Sequence, residues 1–379
     1  MRKVVAAAAV LIGTMARVAL ARETAAPVAY VVMDAGSGTI LAEQDPHKRW
    51  PPASMAKMMT VLVAMERVRD GSLSLDTPVR TSRWASRIGG SQVYLAEGEV
   101  FPLGELLKAV MIASANDAAV AVAEHIAGST TAFVELMNAR AKSLGLADTT
   151  YQSPHGLPPG KGQTADLTSA HDLAVLAREL MRFPDVMRWA GTAAAGFRND
   201  TLQMANTNHM VRTYAGATGL KTGYYREAGF SVTATAIRND LDLIAVALGL
   251  PTKQECFAEA ARILNENFAA YRVVAPARRG TAVGQVPVAG GSEESVKALA
   301  VSDLRVLVKR SEDKGVVVEA HIPRLLQAPV QLRQPLGDVV VRRGDQELGR
   351  VAVVADREVP ATGWLSWLWN RGLSIATTR

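Results

Sequence analysis

Residues 29–34, Ala-Tyr-Val-Val-Met-Asp, are followed by Ala35-Gly36-Ser37-Gly38 and Thr39-Ile40-Leu41-Ala42, and then by Trp50-Pro51-Pro52-Ala53-Ser54-Met55-Ala56-Lys57-Met58-Met59. The first run has the content of a strand, the Gly-rich tetrad turns the chain, and the third run starts a return strand. The stretch thus opens on a β-hairpin. Two prolines then give a rigid entry to a helix beginning near Ser54, whose apolar mass comes from Met55, Met58, Met59, Leu62, Val63 and Met65.

Downstream the chain reads as helical. Residues 103–126 are apolar and Ala-rich, and residues 131–144 and 169–182 carry further helical patterns. Strands resume after residue 215. Residues 228–236 and 241–248 form a hairpin around Arg238-Asn239-Asp240, and a helix over 254–268 closes the unit. Strands at both ends of a helical middle predict an α+β domain over residues 22–268. Its simplest form is one antiparallel sheet, built from both ends of the segment, with a helical lobe inserted. From Ala269 the helical periodicity stops. Short Val-rich alternating runs at 302–308, 315–320, 337–342 and 349–354 predict a small all-β sandwich or barrel over residues 269–358.

The termini bear on compartment. Arg2 and Lys3 precede a short apolar run over residues 4–13, and Ala19-Leu20-Ala21 places small residues where a signal peptidase reads. Residues 1–21 read as a secretory signal cleaved after Ala21, too short to be a stable span. At the other end, Trp364, Leu368 and Ile375 align at helical spacing, flanked by Leu365, Trp367 and Trp369, with Ser366, Asn370 and Ser374 opposite. This predicts an amphipathic helix over 359–379 that lies in a membrane surface without crossing it. The alternative is a helix docked on the protein itself.

The 379 residues carry a formal charge of +6, with lysine and arginine dispersed rather than striped. That distribution argues against nucleic acid and suits an anionic envelope polymer or lipid surface. A single cysteine, Cys256, excludes an internal disulfide and reads as a buried helix residue rather than a catalytic thiol. His47, His125, His171, His209 and His321 show no metal-ligand spacing. No metal or cofactor is expected.

Three short motifs carry chemistry. In Ser54-Met55-Ala56-Lys57 the hydroxyl and amine share a helix face, so the amine can reach the hydroxyl. A serine is a poor nucleophile until a base takes its proton, and lysine is that base only if burial or nearby cations lower its pKa. Alone, the pair is equally a helix start with a surface lysine. Ser114-Ala115-Asn116 puts polar groups in an apolar stretch, either as a helix interruption or as a proton shuttle, Ser114, with a substrate-binding amide, Asn116. Lys221-Thr222-Gly223 reads either as a turn or as an edge strand on which a peptide can lie, Gly223 permitting close approach.

Together and in this order, the motifs match the S-x-x-K, S-x-N and K-T-G set of penicillin-binding enzymes. The chain resembles the low-molecular-mass penicillin-binding proteins of the peptidase S11 family, which are serine-type D-alanyl-D-alanine carboxypeptidases. The resemblance runs through residues 52–60, residues 114–118, His155-Gly156-Leu157, residues 219–223 and the β-domain with Ala328-Pro329-Val330. It implies a β-lactamase/transpeptidase-like catalytic domain and removal of the terminal D-Ala from peptidoglycan pentapeptide stems. It also implies acylation by β-lactams and a place on the outer, periplasmic face of the cytoplasmic membrane. Carried over, Ser54 is the acylated nucleophile, Lys57 its base and Ser114 the relay to the leaving amine. Asn116 holds the substrate amide. Lys221, Thr222 and Gly223 bind around the carboxylate, with Lys221 also lowering the pKa of Lys57. The backbone N–H groups of Ser54 and Tyr224 form the oxyanion hole.

Two positions depart from the family pattern. Tyr225 follows Tyr224 where the family has threonine, and Cys256 stands before Phe257 where a basic residue is common, leaving Lys253 as its substitute. His155 reads as a loop anchor. Alternative readings are a β-lactamase, for which no Glu-x-x-x-Asn element is evident, a DD-endopeptidase, and a membrane-tethered peptidoglycan-binding scaffold with little turnover.

Overall fold

The computed structural model describes residues 26–363. Residues 1–25, which include the expected signal segment, and residues 364–379 of the Trp-rich tail lie outside the described residues. In chain order the first unit contains β1 (Ala29–Asp34), β2 (Ile40–Gln44), a 3₁₀ turn (Ala53–Ala56) and α1 (Lys57–Arg69). There follow β3 (Pro78–Arg80), β4 (Val100–Pro102), α2 (Leu103–Ile112), α3 (Asn116–Ala127), α4 (Thr130–Ser143) and α5 (Ala170–Leu180). Then come α6 (Pro184–Gly191), β5 (Ala194–Phe197), β6 (Leu202–Ala205), α7 (Met210–Thr213), β7 (Ala217–Tyr225), β8 (Gly229–Arg238), β9 (Leu241–Leu250) and α8 (Lys253–Ala270).

The main sheet has the order β2-β1-β9-β8-β7, all pairs antiparallel. The N-terminal hairpin thus joins the C-terminal strands, as expected for a sheet built from both ends. Its two faces serve two cores. Val31, Met33, Ile244, Val246 and Leu248 pack into the helical lobe. Their neighbours Val32, Leu243, Ala245 and Ala247 pack under Ile263 and Leu264 of α8. Alternation with a period of two, with both faces covered, is why β1 and β9 read as nearly continuous apolar runs. Helix α1 is buried at every residue from Lys57 to Met65, as suits the central helix of the lobe.

Three features differ from the sequence reading. The long helix expected over 103–126 is two helices, α2 and α3, because Ser114 takes a left-handed conformation (φ 61°) between them. The helix expected near Ser54 begins with the 3₁₀ turn, where residues i and i+3 eclipse. The amphipathic helix expected from 359 does not start there: Val359 bridges Val330, Ala361 bridges Gly291, and both close the β-domain.

That second domain contains β10 (Tyr271–Ala277), β11 (Ala282–Ala289), β12 (Ser295–Ala300), β13 (Leu304–Lys309), β14 (Val316–His321), β15 (Leu326–Gln327), β16 (Pro335–Arg343) and β17 (Gln346–Ala355). A six-stranded sheet, β14-β16-β17-β12-β11-β15, accompanies the ribbon β10-β13 around a Val-rich core. The domains meet at Arg305 of β13. Its guanidinium donates to both carboxylate oxygens of the fully buried Asp34 at the end of β1, 2.9 and 3.0 Å away, and to the carbonyl of Asp240.

Asp242 lies at the same junction with a buried oxygen that has no hydrogen-bond partner. Burial pushes its carboxyl up to about 7; Arg305 opposes this and the charge of Asp34 adds to it. Between the unfolded value of about 3.9 and this folded value the native state holds a proton that the unfolded chain has released. Stability contributed at this position therefore falls as pH rises through that window, and the deficit is complete above about pH 7. Asp242→Asn is expected to raise Tm at pH 8 by about 2–4 °C, corresponding to ~1 kcal/mol, and to leave Tm near pH 4 unchanged. Thermal unfolding at the two pH values checks this, and an unchanged or lower Tm at pH 8 refutes it.

Candidate active site

The three motifs, far apart in sequence, line one cleft beside the edge strand β7. Lys57, the first residue of α1, sets its Nζ 2.8 Å from Ser54 Oγ and 2.7 Å from the carbonyl oxygen of His155. Ser114, at the break between α2 and α3, accepts a hydrogen bond from Lys221 Nζ at 2.9 Å. The same ammonium donates to the Thr222 carbonyl at 3.1 Å. Thr222 Oγ1 donates to Thr207 Oγ1 at 2.8 Å. Ser54, Ser114, Thr207, Thr222, Gly223 and Tyr224 all border a cavity of about 250 Å³. A larger cavity of about 600 Å³ sits at the domain junction, beside Arg178, Asp242 and Arg305. It contains no hydroxyl nucleophile beside a base, so chemistry rather than size locates the site.

Both lysines are fully buried. Burial is the first cause holding Lys57 well below the ordinary lysine value. The charge of Lys221 is the second, and the more distant Asp166 and Asp117 oppose both. Burial alone pushes Lys221 down to about 7. The resemblance implies a pKa-lowering role for Lys221; burial is the larger cause. A neutral Lys57 can donate one N–H to the His155 carbonyl and turn its lone pair toward the Ser54 hydroxyl. That is the arrangement a general base needs.

The backbone is shaped to bring these groups together. Ala53, just before the nucleophile, has φ 48°, and Ser114 has φ 61°. Left-handed non-glycine residues cost on the order of 1–3 kcal/mol each and persist where the surroundings over-determine them. A methyl group on Gly156 (φ 75°) would overlap the Ala53 carbonyl, and one on Gly223 would overlap that of Pro52. Only glycine lets the 153–157 loop and β7 close on the nucleophile turn. Gly223 thereby lets β7 approach the Pro52–Ala53 backbone, and Ser54 and Tyr224 border the same cavity.

Asn116 is buried, with Nδ2 donating to the Gly89 carbonyl at 2.7 Å and Oδ1 without a partner among the described residues. The side chain expected to hold substrate therefore also fixes the 89–95 loop. Its neighbour Asp117 does the same, accepting from the amides of Val93 and Leu95. His155 is an anchor, as expected: burial, then the charge of Lys57, push its imidazole down to about 3. Its Nδ1 accepts from the Leu157 amide. Sequence reasoning missed Thr207, Asp117, Thr60, which donates to the Pro154 carbonyl, and Asp166, which accepts from Gln152 and Ser153. Asp117 directly follows the second motif, and that adjacency is the one sequence signal that could have found it. Cys256 borders the cavity, buried and uncharged, its thiol pushed up to about 12 by burial.

The family model for D-alanyl-D-alanine carboxypeptidase, peptidase S11, matches residues 15–252, and that for the penicillin-binding protein 5 C-terminal domain matches residues 271–361. The chain is 34% identical over 342 residues to D-alanyl-D-alanine carboxypeptidase DacF of Bacillus subtilis, covering 89% of this chain and 87% of that one. It is 29% identical over 352 residues to D-alanyl-D-alanine carboxypeptidase DacC of Escherichia coli, covering 90% of this chain and 86% of that one. Penicillin-binding protein 5 from Haemophilus influenzae superposes with a TM-score of 0.67 at 28% identity, covering 88% of this chain and 97% of that one. The cleft geometry and these matches agree, and the chain belongs to the peptidase S11 family of D-alanyl-D-alanine carboxypeptidases.

Proposed function

We propose that the protein removes the terminal D-alanine from peptidoglycan pentapeptide stems through an acyl-enzyme on Ser54. The observation that carries this reading is the 2.8 Å approach of the Lys57 amine to the Ser54 hydroxyl, with the amine fully buried and held well below the ordinary lysine value by that burial and by the charge of Lys221. The stem peptide lies along β7, an edge of the main sheet with backbone groups available for an added strand. Lys57 takes the Ser54 proton as Oγ bonds to the carbonyl carbon of the penultimate D-Ala. The oxyanion is held by the backbone N–H groups of Ser54 and Tyr224. As the C–N bond breaks, the proton passes by way of Ser114, beside Lys221, to the leaving amine. Water then hydrolyses the ester and restores Ser54. Asn116 holds the peptide amide, and Thr222 with Gly223 accommodates the end of the chain. β-Lactams acylate the same serine.

Release of D-Ala from a pentapeptide should be readily measured for the wild type and fall at least 1000-fold in Ser54→Ala. Equal release by both proteins refutes the assignment. Slow loss of a penicillin label from Ser54 fits a carboxypeptidase, and rapid turnover fits a β-lactamase. The acylation rate should level off well below the pH at which an ordinary lysine loses its proton, about 10.4. A rate that climbs tenfold per pH unit up to that value would mean that Lys57 is not held neutral.

We further propose that the chain is exported by residues 1–21 and held on the outer face of the cytoplasmic membrane by the tail beginning at Trp364. No helix among the described residues is long and apolar enough to cross a membrane. Pro360 and Thr362 belong to the β-domain, through Ser292 N–H to the Pro360 carbonyl and Thr362 N–H to the Gly290 carbonyl. The clean truncation therefore falls after Gly363. It should move the protein from the membrane fraction to the soluble fraction with D-Ala release retained. Unchanged partitioning removes the tail as the anchor.

A further inference from the structure

The proposed substrate ends in a free carboxylate, which must give up water to enter the cleft and therefore needs cationic donors there. Lys221 is poorly suited to be the sole one. It is fully buried, already donates to Ser114 Oγ and the Thr222 carbonyl, and is pushed down to about 7 by burial.

Lys253 borders the same cavity as Thr222 and Thr207. It is the first residue of α8, one position after the N-cap Thr252, whose hydroxyl accepts from the Glu255 amide. Its Nζ lies 3.0 Å from His209 Nε2. An ammonium only donates, so the imidazole must be neutral and accepting at Nε2. One N–H is used and two remain for an anion. The imidazole is itself fixed, stacked on Phe257 one turn along α8, with centroids 5.5 Å apart and planes at 22°. Burial, then the charges of Lys253 and Arg212, hold it below the ordinary histidine value. Between Lys253 and Phe257, Cys256 presents an uncharged thiol to the cavity.

We infer that Lys253, positioned by His209, binds the terminal carboxylate of the substrate together with the Thr222 hydroxyl. The inference rests on the carboxypeptidase reading of this cleft and specifies how its end group is recognised. Lys253 is a binding residue and His209 a positioning residue. The Thr222–Thr207 hydroxyl pair borders the same cavity, and either hydroxyl can rotate its proton toward an arriving oxygen.

The test compares an acyl-D-Ala-D-Ala peptide with the same peptide ending in D-alaninamide, using the full chain. The wild type should prefer the carboxylate. In Lys253→Ala that preference should fall about tenfold, through KM rather than kcat, as expected for a charged hydrogen bond at a solvent-accessible site. Lys253→Arg should keep most of it. His209→Ala should lose part of it, and His209→Gln, which restores an acceptor, should regain it. A wild type that cleaves the carboxylate peptide while Lys253→Ala keeps the full preference overturns this inference and leaves the carboxypeptidase reading standing. A wild type that releases no D-Ala and takes no penicillin label at Ser54 overturns both.

Discussion

Two fully buried lysines beside one cleft are the constraint from which the rest of the site follows. A buried ammonium is unfavourable unless its donors are satisfied, and two in the same pocket repel. The fold resolves this unequally. Lys221 is fixed between Ser114 Oγ and the Thr222 carbonyl. Lys57, under the same burial and facing the charge of Lys221, is pushed well below the ordinary lysine value between Ser54 Oγ and the His155 carbonyl. The proposed activation of Ser54 is therefore a property of the packing of the lobe around α1, because burial in that packing is the first cause that lowers the Lys57 value.

Holding such a pocket closed requires backbone where regular structure would not place it. The left-handed conformations of Ala53 and Ser114 aim the two serines, and Gly156 and Gly223 allow the loop and the strand to meet the nucleophile turn. The loops on either side are tied by buried carboxylates: Asp117 secures residues 93–95 and Asp166 secures residues 152 and 153. These bonds fix where the Asn116 amide and the His155 carbonyl sit. The strain at Ala53 and Ser114 is sustained because sheet, helix and loops all determine the same geometry.

This explains what the sequence could and could not disclose. The sheet was legible because β1, β8 and β9 are long, apolar and bounded by turn residues. The Ser54–Lys57 pair was legible through its order with the other two motifs, since a serine and a lysine three apart are by themselves equally a helix start with a surface lysine. The split at Ser114 was legible only as one of two readings of Ser114-Ala115-Asn116, since an Ala-rich run gives no sign of the left-handed residue that makes it. Thr207, Asp166 and Thr60 reach the site only through tertiary packing and have no motif spacing. Strands β3 to β6 are too short for periodicity to register. In the second domain, β11 is interrupted by Gly284 and Pro287, which masks its alternation. The boundary at 359 was misplaced because Pro360 reads as a break, whereas Val359 and Ala361 continue the pairing of the β-domain.

The Arg305–Asp34 pair gives the second domain a defined relation to the cleft. A buried ion pair adds little net stability over an apolar contact, but loss of one partner leaves an uncompensated charge, so it favours one docking over others. Asp34 ends β1, and β1 is three strands from β7 in the order β1-β9-β8-β7, about 14 Å across the sheet. The β-domain thus grips the sheet away from the catalytic edge and leaves β7 open for an added peptide strand. Its pairing extends to Thr362, which donates to the Gly290 carbonyl.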